Sequence, residues 1–177
     1  MNKILTTSLL MLMVTFSGCA TTRGVVTLGD SKVIKQTENL NKTAIIRIVE
    51  DDRVFEDKPK TPNIPSLKGG LAAATEDDKA KAIARKRNGY GKALGDIMLR
   101  EGTVASTVQK RVESALNQSG YRVLTASEQN NQKADLIVSV NITKFWSWVE
   151  LGFWAAKLNT EIETTILDEK TEVVPLV

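Results

Sequence analysis

Strict alternation of apolar and polar residues near the C-terminal end constrains the fold of this chain more than any other feature. From Ala134 to Phe145, apolar side chains fill every second position, namely Leu136, Val138, Val140 and Ile142. Side chains of a strand point alternately to its two sides, so this stretch predicts a strand with one buried and one solvated face. Leu158 to Ile166 alternates similarly, and we expect the two strands to form an antiparallel hairpin.

One helix and two further strands complete the predicted domain. Thr43 to Val49 is rich in β-branched residues and predicts a buried first strand. Thr103 is placed to cap a helix whose apolar residues recur at helical spacing, namely Val104, Val108, Val112 and Leu116. Ser119-Gly120 ends this helix, and Tyr121 begins a strand at once. This order predicts an α+β fold: a β-α-β-β-β mixed sheet with a helix packed on one face.

A long insertion separates the first strand from that helix. Pro59, Pro62 and Pro65 exclude a helix interior or a central strand, which predicts a surface loop. After it, Thr75, acids in the first turn and bases in the last turn predict a short extra helix, roughly Glu76 to Asn88.

Basic residues are concentrated in and after this short helix, at Lys79, Lys81, Arg85, Lys86, Arg87 and Lys92. They are open to interpretation as a patch for anionic lipid headgroups. A solvated helix is favoured, because bases at a helix C-terminus complement its dipole. The glycines at 89, 91 and 95 lack the spacing and the preceding strand of a dinucleotide-binding fingerprint.

Composition excludes most familiar catalytic designs. The 177 residues include no His and one Cys, Cys19, so imidazole bases, His/Cys metal clusters and intrachain disulfides are absent. With 42% hydrophobic and 25% charged residues, we expect a single packed domain. The formal charge of +3 is too small to indicate nucleic-acid binding.

The N-terminal segment has the organisation of a signal peptide, with Lys3 before a mostly apolar stretch from Ile4 to Phe16. That stretch is shorter than the roughly 20 apolar residues of a membrane-spanning helix. It ends in Ser17-Gly18-Cys19, which resembles the lipobox of bacterial lipoproteins. The resemblance implies that residues 1–18 are removed by cleavage between Gly18 and Cys19, and that Cys19 carries a covalent lipid. The alternative is a plain secretory signal followed by a free thiol.

A lipidated Cys19 would hold the protein on a membrane, because two or more acyl chains anchor stably. Ala20 follows the Cys, and in lipoproteins of this kind the absence of Asp there implies the outer membrane, on its periplasmic face. We expect residues 19–41 to form a polar tether, with one short strand near Gly24 to Leu28. Residues 42–177 would be a single periplasmic domain. Thr171 to Val177 begins another predicted strand, and we expect the chain to be C-terminally shortened.

Five aromatic residues cluster at the end of the predicted hairpin, at Phe145, Trp146, Trp148, Phe153 and Trp154. Trp is enriched at membrane interfaces and at binding hot spots, so the cluster is a candidate contact with a partner or a membrane. The alternative, slightly favoured, is a satellite core in which these rings cover the open end of the sheet.

The order of lipobox, first strand, capped helix, Gly120-Tyr121-Arg122-Val123 and Ala134-Asp135-Leu136 resembles the YajG-like lipoproteins of the Gram-negative envelope, as does Arg87-Asn88-Gly89-Tyr90-Gly91. Some members of that family carry flagellar-biosynthesis labels. The resemblance implies a lipid anchor and no catalytic residues.

We therefore expect a non-enzymatic accessory module that contacts an unidentified envelope protein, without metal or cofactor other than the lipid on Cys19. The alternative is an enzyme that acts on envelope polymers through carboxylates, with Asp135, Glu150, Glu161 and Glu163 as candidates. Two acids on one strand face, Glu161 and Glu163, lie on the side predicted to be solvated. Paired catalytic acids need an environment that raises one pKa, and no cleft is apparent in the sequence.

Overall fold

The computed structural model describes residues 22–29, 40–125, 128, 133–151 and 155–169. The strands are β1 (Gly24–Val26), β2 (Lys42–Asp51), β3 (Ala82–Arg87), β4 (Ala93–Leu99), β5 (Tyr121–Val123), β6 (Leu136–Leu151) and β7 (Ala156–Asp168). The helices are α1 (Glu76–Lys81) and α2 (Val104–Gln118), and a single 3-10 turn covers Leu71–Ala73. The described part of the chain is an α+β protein, as the sequence predicts.

The seven strands form one mixed sheet in the order β1-β4-β3-β6-β2-β5, with β7 also paired to β6. Strand β7 runs antiparallel to β6 from Val138 to Leu151. The opposite edge of β6 is shared by two strands, because β2 pairs in parallel with Leu136 to Ile142 and β3 pairs in parallel at Ser147. The described sheet therefore divides at β6, with β2 and β5 on one branch and β3, β4 and β1 on the other.

Helix α2 packs on one face of the sheet, which we call the helix face. Thr103 and Ser106 close a reciprocal capping box at its start, with Ser106 N–H donating to Thr103 Oγ1 at 3.1 Å. Val104 and Val108 of α2 pack against buried residues of three strands, namely Ile83, Leu99, Val140 and Ile142. The apolar spacing in α2 and the alternation in β6 thus build one shared core.

The opposite face is covered by the proline-rich segment between β2 and α1, and we call it the loop face. Leu67 of this segment packs with Ala82, Met98 and Trp146, all of them buried. The indole N–H of Trp146 donates to the Pro62 carbonyl at 3.1 Å, and Phe55 meets the Trp146 ring edge-on at a centroid distance of 6.1 Å. The prolines shape a surface loop, as predicted, and this loop closes a second core.

A buried arginine fills the fork where β2 and β3 meet β6. The side chain of Arg53 is fully buried and pairs with Asp51, with Nε 2.7 Å from Oδ1 and Nη2 2.8 Å from Oδ2. The remaining guanidinium N–H groups donate to main-chain carbonyls, namely those of Lys79, Ala82 and Phe145. Burial of this charge is tolerated because an acid and three carbonyls accept its hydrogen bonds. Since these partners lie on different elements, Arg53 ties both branches of the sheet together.

The short extra helix is less extensive than predicted. Thr75 caps it with a capping box, but α1 ends at Lys81, and Ala82–Arg87 forms strand β3 instead. The prediction of a helix to Asn88 is therefore wrong. Tertiary pairing overrides the local propensity, because Ile83 is buried on the helix face while Ala82 is buried on the loop face. A strand presents successive residues to two cores, which a helix does not.

The other predicted elements within the described residues are confirmed, whereas the strand predicted at Thr171 to Val177 lies outside the described residues. The 134–145 and 158–166 segments pair as an antiparallel hairpin, and β2 and β5 flank α2 as parallel neighbours. The predicted tether supplies β1, which pairs in parallel with β4. Arg23, just before β1, ties it to the domain by an ion pair to Asp78 at 2.6 Å. This contact, with hydrogen bonds from Thr75, holds the pKa of Asp78 below its ordinary value.

Candidate functional site at the outer strand

Strand β7 lies at the margin of the described sheet. It pairs with β6 along one edge, and no described strand pairs with its other edge. The strand is 13 residues long and contains no proline. An unpaired edge exposes a row of backbone donors and acceptors that readily accepts another strand.

Three exposed large apolar side chains of β7 lie on one face of the strand, and we call them the β7 apolar row. Leu158 is 72% exposed, Ile162 57% and Ile166 52%. They pair with Val149, Phe145 and Val140 of β6, so the row lies on the helix face of the sheet. Helix α2 covers Val140 but leaves this row exposed.

An apolar groove of about 520 Å³ continues from the row toward the centre of the helix face. Its walls include Leu158 together with apolar residues from four other strands, namely Val26, Ile83, Ile97 and Val149. The row and the groove share Leu158 and form a continuous apolar surface beside α2. Contiguous exposed apolar surfaces on folded proteins commonly mark interaction sites.

The other face of β7 carries ion-paired acids, with Leu167 as an exposed apolar residue near its end. Nζ of Lys144 on β6 lies 2.8 Å from Glu161 Oε1 and 3.0 Å from Glu163 Oε2. Hydrogen bonding to Lys144 lowers the pKa of Glu163, and bonding to both acids raises the pKa of Lys144. With its pKa lowered, Glu163 stays ionised at neutral pH. Two carboxylates facing one ammonium give a formal net negative charge there.

The structure distributes the predicted aromatic cluster over two cores. Trp146 is 2% exposed on the loop face, which corrects its interpretation as a contact with a partner or membrane. Phe145 packs half-buried against the α2 core, and Trp148 packs half-buried beside Trp146. Phe153 and Trp154 lie outside the described residues. Adjacent residues of a strand face opposite ways, so sequence clustering did not make a single aromatic patch.

The four carboxylates of the enzyme alternative are held in three separate places. Asp135 accepts hydrogen bonds from Thr43 N at 2.7 Å and Thr43 Oγ1 at 3.1 Å, before β6 begins. Glu150 accepts the indole N–H of Trp148 at 3.1 Å near the other end of β6. Glu161 and Glu163 are the two brought together, by the shared Lys144 described above. Of these four described residues, the two that lie close together are therefore exposed and ion-paired to a lysine.

The lipidation and cleavage residues, Cys19 and Gly18, lie outside the described residues. Within the described ranges, no helix has the length and hydropathy needed to cross a membrane. The same ranges contain no cluster of three or more His, Cys, Asp or Glu residues suited to a metal ion.

Sequence reasoning identified the alternation in β7 but missed its exposure. Leu158, Ile162 and Ile166 were predicted to face one way, and they do. Alternation indicates that one face is apolar, but which element covers that face depends on where α2 lies. No family model, curated protein or solved structure matches this chain.

Proposed function

We propose that the protein is a lipid-anchored envelope lipoprotein of the outer membrane, facing the periplasm. Its folded domain is a non-enzymatic interaction module that serves envelope or flagellar assembly. Support for the anchor comes from the lipobox-like Phe16-Ser17-Gly18-Cys19. Support for the interaction comes from one observation, the exposed apolar row on the unpaired outer strand β7.

The partner of β7 in this proposal is an extended strand of another protein. A strand added to an open edge gains main-chain hydrogen bonds and places every second side chain beside the β7 apolar row. At about 25 cal/mol per Å² of apolar surface removed from water, covering these side chains would favour association. The partner strand therefore carries apolar residues at alternate positions.

Charge favours a different protein over a second copy of this chain. An antiparallel pairing of two β7 strands centred on Ile162 would place Glu161 of one copy opposite Glu163 of the other. Like charges directly opposite each other on paired strands are destabilising. A partner strand with Lys or Arg on that face would instead complement the net negative charge around Lys144.

The anchor is tested by metabolic labelling with radioactive palmitate. We expect label to enter the wild-type protein and to be absent from Cys19→Ser, because the thiol is the group that takes the lipid. The controls are equal expression of the two proteins and the variant Ser17→Ala, which keeps a small residue and the thiol. Equal labelling of wild type and Cys19→Ser would refute the anchor.

The interaction is tested by placing a photo-crosslinking amino acid at Ile162 in the lipidated protein in cells. The matched control position is Tyr90, which is 98% exposed in the turn between β3 and β4. We expect Ile162 to crosslink to a segment of another protein with alternating apolar residues. A synthetic peptide of that segment should slow amide hydrogen exchange in β7, and Ile162→Lys should abolish the effect while Tyr90→Lys preserves it.

Three results would contradict the proposal that β7 binds a strand of another protein. Crosslinks from Ile162 confined to residues 170–177 of the same chain would mean that the protein covers its own edge. Crosslinks to a second copy would mean self-association, and crosslinks to phospholipid would mean that the row rests on the membrane.

A further inference from the structure

A basic pocket opens on the branch of the sheet that contains β3 and β4. Its volume is about 770 Å³, within the usual range of about 300–1,000 Å³ for ligand sites. One wall is the end of β3 and the start of β4, and the other is formed by two parts of the proline-rich segment, Asp57–Pro59 and Ser66–Ala72. The pocket shares Arg85 and Arg87 with the lining of the apolar groove, but its other lining residues are separate from it, so an inference about this pocket goes beyond the proposed function.

Arg85 and Arg87 of β3 both line this pocket. The Arg85 side chain is 12% exposed and is held in place by Ser66, whose fully buried Oγ accepts from Arg85 Nη1 at 3.2 Å. Arg85 Nε contacts the Leu94 carbonyl at 3.4 Å and lies 3.9 Å from Asp96 Oδ1. Among the described residues, Arg85 Nη2 has no hydrogen-bond partner, so a held guanidinium keeps donor capacity for a ligand.

Arg87 lacks an acidic partner among the described residues. Its Nη1 donates to the Gly91 carbonyl at 3.0 Å, which orients the guanidinium within the hairpin turn. Burial and the nearby charge of Arg85 lower the pKa of Arg87 from its ordinary value. Asp96 compensates Arg85 in part, at 3.9 Å, but the two cations keep a net positive charge that a bound anion would offset.

The remaining charges of the pocket are also mainly positive. Lys58 and Lys92 line it, are exposed, and form no ion pair with any described residue. The acidic side chain in the lining is Asp57, whose Oδ1 already accepts the backbone N–H of Leu71. Four cations and one acid give a formal charge of +3 in a chain whose total is +3.

Two glycines form part of the facing wall. Gly69 and Gly70 have φ angles of 93° and 80°, a conformation that side-chain-bearing residues rarely adopt. At Gly70, an added Cβ would lie 2.9 Å from Asp57 Oδ1. Glycine here therefore allows the positive φ angles of this turn and the close approach of the Asp57 carboxylate to it.

We propose that this pocket binds the phosphate group of an organic ligand, with Arg85 and Arg87 as the principal contacts. Guanidinium groups match phosphate oxygens in geometry and form charge-assisted hydrogen bonds, and the flexible lysines add long-range attraction. The volume exceeds what a phosphate ion needs, which leaves room for the group that the phosphate is attached to. A phosphodiester lipid headgroup and a free phosphate or phosphomonoester share this chemistry.

Calorimetric titration of the purified native lipoprotein in neutral detergent tests the site. The probes are inorganic phosphate, glycerol 3-phosphate and glycerophosphoglycerol, which is a deacylated phosphodiester headgroup. We expect saturable binding that Arg87→Gln weakens at least about tenfold, because a charge-assisted hydrogen bond is lost. The matched control is Lys86→Gln, which removes the same charge from the neighbouring residue. Lys86 does not line the pocket and donates instead to the Thr22 carbonyl at 3.1 Å.

A second variant protects the test against misfolding. Lys92→Gln changes an exposed turn residue, and we expect it to weaken binding about threefold at an unchanged melting temperature. Tighter binding of glycerophosphoglycerol would identify a lipid headgroup as the source, and tighter binding of the other two probes would identify a soluble phosphate. Absence of saturable binding by all three probes, or equal weakening by Arg87→Gln and Lys86→Gln, would overturn the proposal.

Discussion

Strands β6 and β7 are neighbours with the same alternating pattern, yet their apolar side chains differ in burial. In β6, Val140 is 1% exposed and Ile142 is fully buried, because α2 packs directly on them. In β7, Ile162 and Ile166 lie on the same face and are more than half exposed. The difference lies in what packs above each strand, and it leaves one strand as core and the other as a surface for a partner.

The two edges of β6 differ in the same way. Its inner edge is shared by β2 and β3 and is secured where they meet by Arg53, whose hydrogen bonds reach Asp51 and three carbonyls. Its outer edge is covered by β7 alone, and the side-chain ion pairs there are exposed. Stability should therefore depend on the inner edge, and interaction on the outer one.

The largest expected effect comes from Arg53→Met at the inner edge. Removing the guanidinium leaves the Asp51 carboxylate and three carbonyls at this site without their hydrogen-bond donor. The free energy of unfolding should therefore fall by roughly 3–5 kcal/mol. Urea unfolding followed by circular dichroism measures the change. A loss below about 1 kcal/mol would show that the stability of the inner edge does not depend on Arg53.

The next effect compares one substitution on the two strands. Ile142→Ala should destabilise by about 3 kcal/mol, since it opens a cavity under α2. Ile162→Ala should change stability by no more than about 0.5 kcal/mol, since its side chain is 57% exposed. Both are read from chemical unfolding of the purified protein. Similar losses from the two variants would show that β7 is covered in solution.

The smallest effect concerns Lys144, which joins β6 to β7 through Glu161 and Glu163. The pKa of Glu163 is lowered from 4.5, so its contribution is present above that pH and is lost as pH falls through the folded value. The pKa of Lys144 is raised from 10.5, so its contribution persists below that pH and is lost as pH rises through the folded value. We expect Lys144→Met to destabilise less than either core variant at neutral pH.

Unfolding of wild type and Lys144→Met across the acid range measures this contribution. The small difference between them should shrink in strongly acidic solution, because Glu163 loses its charge as pH falls through its lowered pKa. A difference that persists there would mean that the aliphatic stem of Lys144, rather than its charge, supports β7.

Much of the fold was predictable because its signals are local. The capping Thr103 and the valine spacing of α2 are contained within 15 residues, as is the alternation of β6. Strand β3 was not predictable in this way, because Ala82–Arg87 has good helix formers and becomes a strand through pairing with β4 and β6. The basic pocket was missed for the same reason. Arg85 and Arg87 were assigned to the C-terminal end of a predicted helix, where bases complement the helix dipole.

By itself, the sequence determined the α+β class, the crossover through α2 and the hairpin of β6 with β7, because periodicity and capping act over a few turns. It also carries the lipobox-like segment on which the proposed anchor depends. The tertiary structure alone decided that Trp146 is core, that the β7 apolar row is uncovered, and that two arginines share a pocket with two glycines. Those outcomes depend on contacts between residues that are distant in the chain. A local sequence pattern does not specify which surfaces these contacts leave exposed.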